Sequence, residues 1–352
     1  MAIIDSYLAY LVEVEGTDLL LAAGARPLMR LNGQLQVMKR RLVAASDVEY
    51  HAQEMLGAER MGRLPELKSI DFIYETTLNG TERRFRGSVY YQRNGLNIIL
   101  RAIPQKPRTL RELGLPTTIQ RLVELRSGLI MVAGPARSGK SATLAAMVEL
   151  LNQKPLHIIT VEDPIEQVHK GREALISQRQ IGLHADSFAS ALEGVLREDP
   201  DVIVVGDVRD EATARQLLRA GELGHLVLAG MECASTVRCL ERLVDFFDTE
   251  QRRGARRLVA SAMRAVVALQ TVPRADGTGR ALASELLMSG PQVVEAIRSG
   301  NMSQVVELMR GGQHGMRLME DDLTGLATSG VISDDEAYSR IEACELARVG
   351  GS

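Results

Sequence analysis

Gly134-Pro135-Ala136-Arg137-Ser138-Gly139-Lys140-Ser141 satisfies the pattern G-x-x-x-x-G-K-[ST] at every fixed position. An apolar run, residues 129–133, ends directly before it. After it, Leu144, Met147, Val148 and Leu151 recur at the i, i+3, i+4, i+7 spacing of a helix spanning residues 141–152. A loop between a buried strand and a helix start gathers backbone N–H groups into one concavity, where the helix dipole also favours negative charge. The segment therefore predicts a nucleoside triphosphate site built from Gly134, Ser138, Gly139, Lys140, Ser141 and Ala142. Lys140 would reach the β- and γ-phosphates, and the Ser141 hydroxyl would ligate Mg²⁺.

Further along the chain, residues 157–161, 202–205 and 225–229 are short and nearly all apolar, as strands buried on both faces are. Apolar runs alternating with helical stretches predict an α/β fold with a parallel sheet covered by helices on both sides. The first hundred residues have a different character. Asn32-Gly33 and Asn79-Gly80 each stand between apolar segments, the signal for tight hairpins, and residues 47–61 read as a helix. Pro104, Pro107 and Pro116 punctuate a linker. The expected organisation is a small α+β domain over residues 1–103, a linker over 104–116, a P-loop domain over 117–290, and a helical tail over 291–352 broken at Gly300, Gly311, Gly312, Gly315 and Gly330.

A chain of 352 residues has the length for two hydrophobic cores, and its composition is that of an ordinary soluble protein. No segment approaches eighteen uninterrupted apolar residues, and Met1 to Asp5 lack the start of a secretory signal, so a cytoplasmic location is expected. Cys233, Cys239 and Cys344 are too few and too irregular for a disulfide framework or zinc site. The net charge of −3, the absence of Trp and the scarcity of aromatics speak against a nucleic-acid partner. The basic clusters at residues 39–41 and 252–257 read as solvated faces or subunit contacts.

A phosphate loop needs carboxylates for Mg²⁺ and for the attacking water. Two segments supply them: Val161-Glu162-Asp163-Pro164-Ile165-Glu166 at the end of one apolar run, and Val205-Gly206-Asp207 at the end of another. Ligands bind at the carboxyl ends of parallel strands in open α/β sheets. Any one of these acids alone is equally readable as a helix cap or loop solvation; two such strands in one chain with a phosphate loop favour a site.

These segments resemble the type IV pilus retraction ATPases, the PilT/PilU branch of the secretion and pilus motor superfamily. The likeness rests on Ile158 to Glu166 (an acidic box), Leu196 to Gly206 (the Walker B region), Gly221-Glu-Leu-Gly224-His225-Leu226 and the stretch from Gly128 to Lys140. Thr17-Asp18-Leu-Leu-Leu21, Arg84-Phe85-Arg86 and Leu100-Arg101-Ala-Ile-Pro104 extend it to the N-terminal part. The resemblance runs from about residue 3 to about residue 340. It implies a RecA-like P-loop ATPase domain after a small PAS-like domain, ATP between the two, and a hexameric ring that drives pilus disassembly at the inner face of the cytoplasmic membrane. Its partners would be further copies of itself, an active paralogous motor ATPase and an inner-membrane pilus platform protein. Glu162, Asp207 and the residue at 232 would be catalytic; Ser141, Asp163 and Asp207 would serve the metal. Arg86 and Arg101 match family arginines that hold phosphates, whereas from the residues alone they are equally readable as salt-bridged surface groups.

The departures from that family cluster in the site. Asp207 stands where the family carries its catalytic Glu, and Glu232 where it carries a phosphate-sensing His in Thr-Leu-His-Thr, here Gly230-Met231-Glu232-Cys233. Ala136-Arg137 replace Thr-Gly, and Ala142 replaces a hydroxyl residue. The retraction motif Ala-Ile-Arg-Asn-Leu-Ile-Arg reads Gln292 to Arg298, keeping only the final arginine. Shortening Glu to Asp misplaces a base by on the order of 1 Å, worth roughly a hundredfold in rate. A carboxylate about 4 Å from phosphate is opposed by several kcal/mol at an effective dielectric of about 20. Nucleotide binding is thus expected with hydrolysis weakened or partner-dependent; Arg137 and Glu232 are equally readable as an ion pair that offsets part of the repulsion and as a solvent-facing arginine beside an acid left in a degenerate site. Three readings stand: a working motor, an accessory subunit that hydrolyses slowly or not at all, and a regulator or scaffold that uses the fold for contacts.

Overall fold

The computed structural model describes residues 3–31 and 33–349. Contacts divide the chain into two compact units, Met1–Lys106 and Pro107–Ser352.

In the first unit a helix, Ile3–Glu13, precedes β1 (Asp18–Ala22), β2 (Leu28–Leu31) and β3 (Gln34–Val37). A second helix, Ala45–Leu67, leads to β4 (Ser69–Leu78), β5 (Thr81–Gln92) and β6 (Gly95–Ile103). The strands pair antiparallel in the order β3-β2-β1-β6-β5-β4. Both expected hairpins form. Asn79 and Gly80 turn between β4 and β5 at φ of +51° and +74°, the left-handed pair a type I′ turn demands. The turn between β2 and β3 contains Gly33, while its Asn32 lies outside the described residues. The second helix is longer than residues 47–61 and breaks at Gly57, whose φ/ψ of 72°/171° is not helical.

The second unit is built on a sheet of β7 (Gly128–Ala133), β8 (His157–Glu162), β9 (Leu175–Gln180), β10 (Val202–Val205), β11 (Leu226–Met231), β12 (Met263–Pro273) and β13 (Arg280–Met288). Their order is β13-β12-β7-β11-β10-β8-β9, parallel throughout except for the β12–β13 pair. The unbroken apolar runs follow from two-sided burial. Leu129, Met131 and Ala133 enter one core, and Ile130 and Val132 enter the other. Helices Lys140–Leu151 and Glu211–Glu222 pack on these opposite faces. After β13 come the helices Pro291–Ser299, Met302–Arg310, Met319–Thr328 and Asp334–Val349. Met319, Leu323, Ile332 and Ala337 close a further core over Val272 of β12 and Ala281 and Ala283 of β13.

This is the expected α/β fold. Three strands carry no clear signal in the sequence. β9 is an edge strand of polar composition, Leu-Ile-Ser-Gln-Arg-Gln, and β12 and β13 are apolar runs of a length at which strand and helix read alike. Among the described residues, no helix is long and apolar enough to cross a membrane.

Candidate nucleotide site

The carboxyl ends of β7, β11, β10 and β8 lie side by side. Register places Met131 of β7 beside Ala229 of β11, Val205 of β10 beside Ala229, and Val161 of β8 beside Val205. Neighbouring strands are about 4.8 Å apart, so the segments leaving these ends converge. They carry the phosphate loop, Glu232, Asp207, and Glu162 with Asp163. Two glycines make the convergence feasible. A Cβ on Gly230 would stand 2.2 Å from the Gly206 carbonyl oxygen, and one on Gly134 would stand 2.2 Å from Ser138 Oγ and 2.7 Å from the Leu269 carbonyl. Val208 N–H donates to the Gly230 carbonyl at 2.9 Å and ties the two strand ends together.

The loop turns sharply from β7 into the following helix. Gly139, at φ +100°, caps the helix that starts with Lys140, and Arg137 itself is left-handed at φ +66°. A non-glycine residue pays roughly 1 kcal/mol there, so the arginine is carried at a cost. Lys140 Nζ donates to the carbonyls of Gly134 at 2.8 Å and Pro135 at 3.0 Å. Ser138 is buried with its Oγ unpartnered; Ser141 and Ala142 are exposed.

Of the two readings of Arg137 and Glu232 the ion pair is not formed, and Arg137 is exposed. The Glu232 carboxylate instead stands 4.0 Å from Lys140 Nζ, because the β11 end, in register with Ala133, delivers residue 232 to the base of the loop rather than to its tip. With its side chain 56% exposed, its repulsion toward an anion is weakened by solvent screening.

Asp207 and Asp163 meet through a residue to which the sequence reading gave no role. Arg209 donates from Nε to Asp207 Oδ2 at 2.8 Å and from a terminal nitrogen to Asp163 Oδ2 at 3.2 Å. Its guanidinium also lies over the Phe188 ring, 5.9 Å from the centroid. Asp207 Oδ1 is shielded from solvent and accepts no hydrogen bond. The hydrogen bond to Asp207 raises the Arg209 pKa above its ordinary value.

Glu162 accepts from Thr160 Oγ1 at 2.6 Å and from Gln178 Nε2 at 3.1 Å. Burial pushes its pKa up, and these two hydrogen bonds only partly offset that. A raised pKa improves a carboxylate as a proton acceptor near neutrality. It also makes a stability prediction. A carboxyl group protonated more readily in the folded state favours folding below its unfolded pKa and loses that contribution as pH rises through the folded one. Glu162→Gln removes the buried charge, so it is expected to raise the melting temperature at pH 8, with the gain vanishing as pH falls below the ordinary value of 4.5. An equal gain at pH 4 and pH 8 in thermal melts would show that charge burial is not the cause.

Arg86 and Arg101 stand in the N-terminal unit on neighbouring strands, directly opposite each other on β5 and β6. Arg101 is engaged by the buried Asp18, at 2.8 Å from both Nε and a terminal nitrogen. Arg30 of β2 approaches the same carboxylate at 3.7 Å. The row Arg30, Asp18, Arg101, Arg86 thus runs across four strands.

A strand-loop-helix cradle at the carboxyl edge of a parallel sheet, with acidic residues from two adjacent strands, defines a P-loop nucleotide-binding fold of the RecA type. The family model described as "Type II/IV secretion system protein" matches residues 29–330, and the chain belongs to that family. It is 33% identical to the type IV pilus retraction ATPase PilT of Pseudomonas aeruginosa over 96% of this chain and 97% of that one. It is 32% identical to the type IV pilus ATPase PilU of the same organism, over 98% and 90%. Among solved structures it matches the pilus retraction motor PilT with bound ADP at a TM-score of 0.85 and 34% identity, covering 96% of each chain.

Proposed function

We propose that this protein is a motor ATPase of a type IV pilus or related secretion machine, binding Mg-ATP in a hexameric ring at the cytoplasmic face of the inner membrane. The observation that supports the reading is the Lys140 loop at the same carboxyl edge of the sheet at which the neighbouring strands β10 and β8 end in Asp207, Glu162 and Asp163, in a chain whose relative over nearly its full length is a retraction ATPase.

The residues fit the cofactor. Among the described residues no cluster of three or more His, Cys, Asp or Glu forms that could hold a metal by itself. Mg²⁺ in such sites is held by one or two protein groups together with phosphates and water. Ser141 and Asp207 would hold it, with Asp163 nearby, and the ion would neutralise charge on the phosphates. The backbone N–H groups from Ser138 to Ala142 and the Lys140 ammonium bind and orient phosphate. Asp207 is the candidate base for water, Glu162 supports it, and Arg86 and Arg101 are candidates for phosphate contacts. Hydrolysis is slow in this reading, because Asp207 is one methylene shorter than Glu and the residue at 232 is an acid in place of histidine.

The Lys140–Glu232 contact at 4.0 Å favours a second reading, an accessory subunit that binds nucleotide and depends on an active paralogue or other pilus components for turnover. Phosphate release by the parent, Asp207→Glu, Glu232→His and the double variant separates the two, with oligomer size followed by light scattering in Mg-ATP. A general base restored to position raises turnover by about 10²-fold or more. A parent already as fast as the double variant shows that hydrolysis is not weakened. A strict monomer under all conditions overturns the ring.

A further inference from the structure

The strongest unassigned feature of the second unit is the arginine that joins its two acidic strand ends. Arg209 is two residues beyond Asp207, just before the helix Glu211–Glu222 that Asp210 caps. Three groups from three elements fix its guanidinium: Asp207 Oδ2 after β10, Asp163 Oδ2 after β8, and the face of Phe188 at the start of the helix Phe188–Val195. Arginine suits this place because its planar fork reaches two carboxylates at once while its flat face rests on an aromatic ring; lysine offers one point charge and no plane. The bond to Asp207 takes up one carboxylate oxygen. The other, Oδ1, is withdrawn from bulk solvent with no protein partner, and a buried acceptor of that kind requires a water or an ion to satisfy it.

We propose that Arg209 is a positioning residue for Asp207, pinning Oδ2 so that Oδ1 alone is directed to the water or hydrated cation of the nucleotide site. The proposal rests on the nucleotide-site reading above and adds a reason why the shorter Asp can serve there. An aspartate free to rotate about χ1 and χ2 would spread its oxygens over several positions, and a misplacement on the order of 1 Å is costly in rate. A guanidinium held from three sides removes that freedom. Because it acts through Asp207, its removal should cost little once Asp207 has lost its charge.

The test is a double-mutant cycle on the full chain with Arg209→Ala, Arg209→Lys, Asp207→Asn and Arg209→Ala/Asp207→Asn, each checked for an unchanged cooperative melt. Two quantities are read: kcat and KM for ATP, and the gain in ADP affinity on adding Mn²⁺ as the cation probe. Arg209→Ala is expected to lower kcat by about 10- to 100-fold with KM for ATP held within about twofold, Arg209→Lys to recover only part of the loss, and the double variant to be no slower than Asp207→Asn. The Mn²⁺-dependent gain should fall in Arg209→Ala and in Asp207→Asn, and fall no further in the double than in Asp207→Asn. If the parent shows no turnover but the Mn²⁺ cycle is coupled in this way, the hydrolysis reading falls and the positioning role stands. Additive losses, a rise in KM matching the fall in kcat, or tighter Mn²⁺ binding in Arg209→Ala would each overturn the proposal, the last by showing that Arg209 competes with the cation. If Arg209→Ala fails to fold, Arg209→Lys carries the same comparison against Asp207→Asn.

Discussion

Lys140→Ala is expected to weaken ATP binding by about two orders of magnitude while leaving the fold intact. The ammonium donates to the Gly134 and Pro135 carbonyls at 2.8 and 3.0 Å, within the loop proposed to take the phosphates. Each charge-assisted hydrogen bond contributes about 1.5–3 kcal/mol, and alanine offers no substitute. The close packing at Gly134 and the positive φ of Gly139 need no side chain, so losing the two Lys140 bonds to loop carbonyls should lower the melting temperature only slightly. Titration with a fluorescent ATP analogue measures the effect. An affinity equal to that of the parent would mean that this loop is not the nucleotide site, and the assignment of Asp207 and Glu162 would lose its basis.

The largest effect on stability is expected at Glu285, a residue that no sequence motif singles out. This glutamate on β13 is only 3% exposed. One of its oxygens accepts from the backbone N–H and the hydroxyl of Thr236, at 2.8 and 2.5 Å; the other accepts from Met319 N–H at 3.4 Å. Thr236 begins the helix Thr236–Asp245 and Met319 the helix Met319–Thr328. The carboxylate therefore serves two helix N-termini at once, where unpaired N–H groups and the dipole favour negative charge. Glu285→Ala would leave those buried donors without it, at about 1–3 kcal/mol for each, for a total loss of roughly 3–5 kcal/mol. Chemical denaturation measures it, and a loss below about 1 kcal/mol would show that water replaces the carboxylate without penalty. Because Thr236 follows Glu232 by four residues, the same variant should also loosen that segment.

Why one of these sites was legible and the other was not follows from the range of the interactions. The phosphate loop is local: its glycines, lysine and serine lie within eight residues, and the strand before it and helix after it are readable from short windows. The acidic strand ends were legible as separate candidates because each lies at the end of an apolar run. Their union through Arg209 was not, since Asp163 and Arg209 are 46 residues apart and no short-range pattern distinguishes this arginine from the many at the surface. The Arg137–Glu232 pair failed for the converse reason. Opposite charges in neighbouring segments suggested a contact, but sheet register sets which atoms meet, and it brought Glu232 to Lys140. Arg101, equally readable as a phosphate ligand or a salt-bridged group, is held in this structure by Asp18, 83 residues earlier.

The sequence by itself determined the class of fold, the phosphate loop and the hairpin character of the N-terminal unit. Each of these is written in periodicities and turn residues that act over fewer than about fifteen positions. Tertiary structure alone decided the strand order β13-β12-β7-β11-β10-β8-β9, the edge strand β9, the bridge of Arg209 over two carboxylates and the placement of Glu285 beneath two helices. Those features depend on which distant segments share a sheet edge or a helix end. That choice is made by the packing of whole faces, to which each residue contributes little that a local reading can detect.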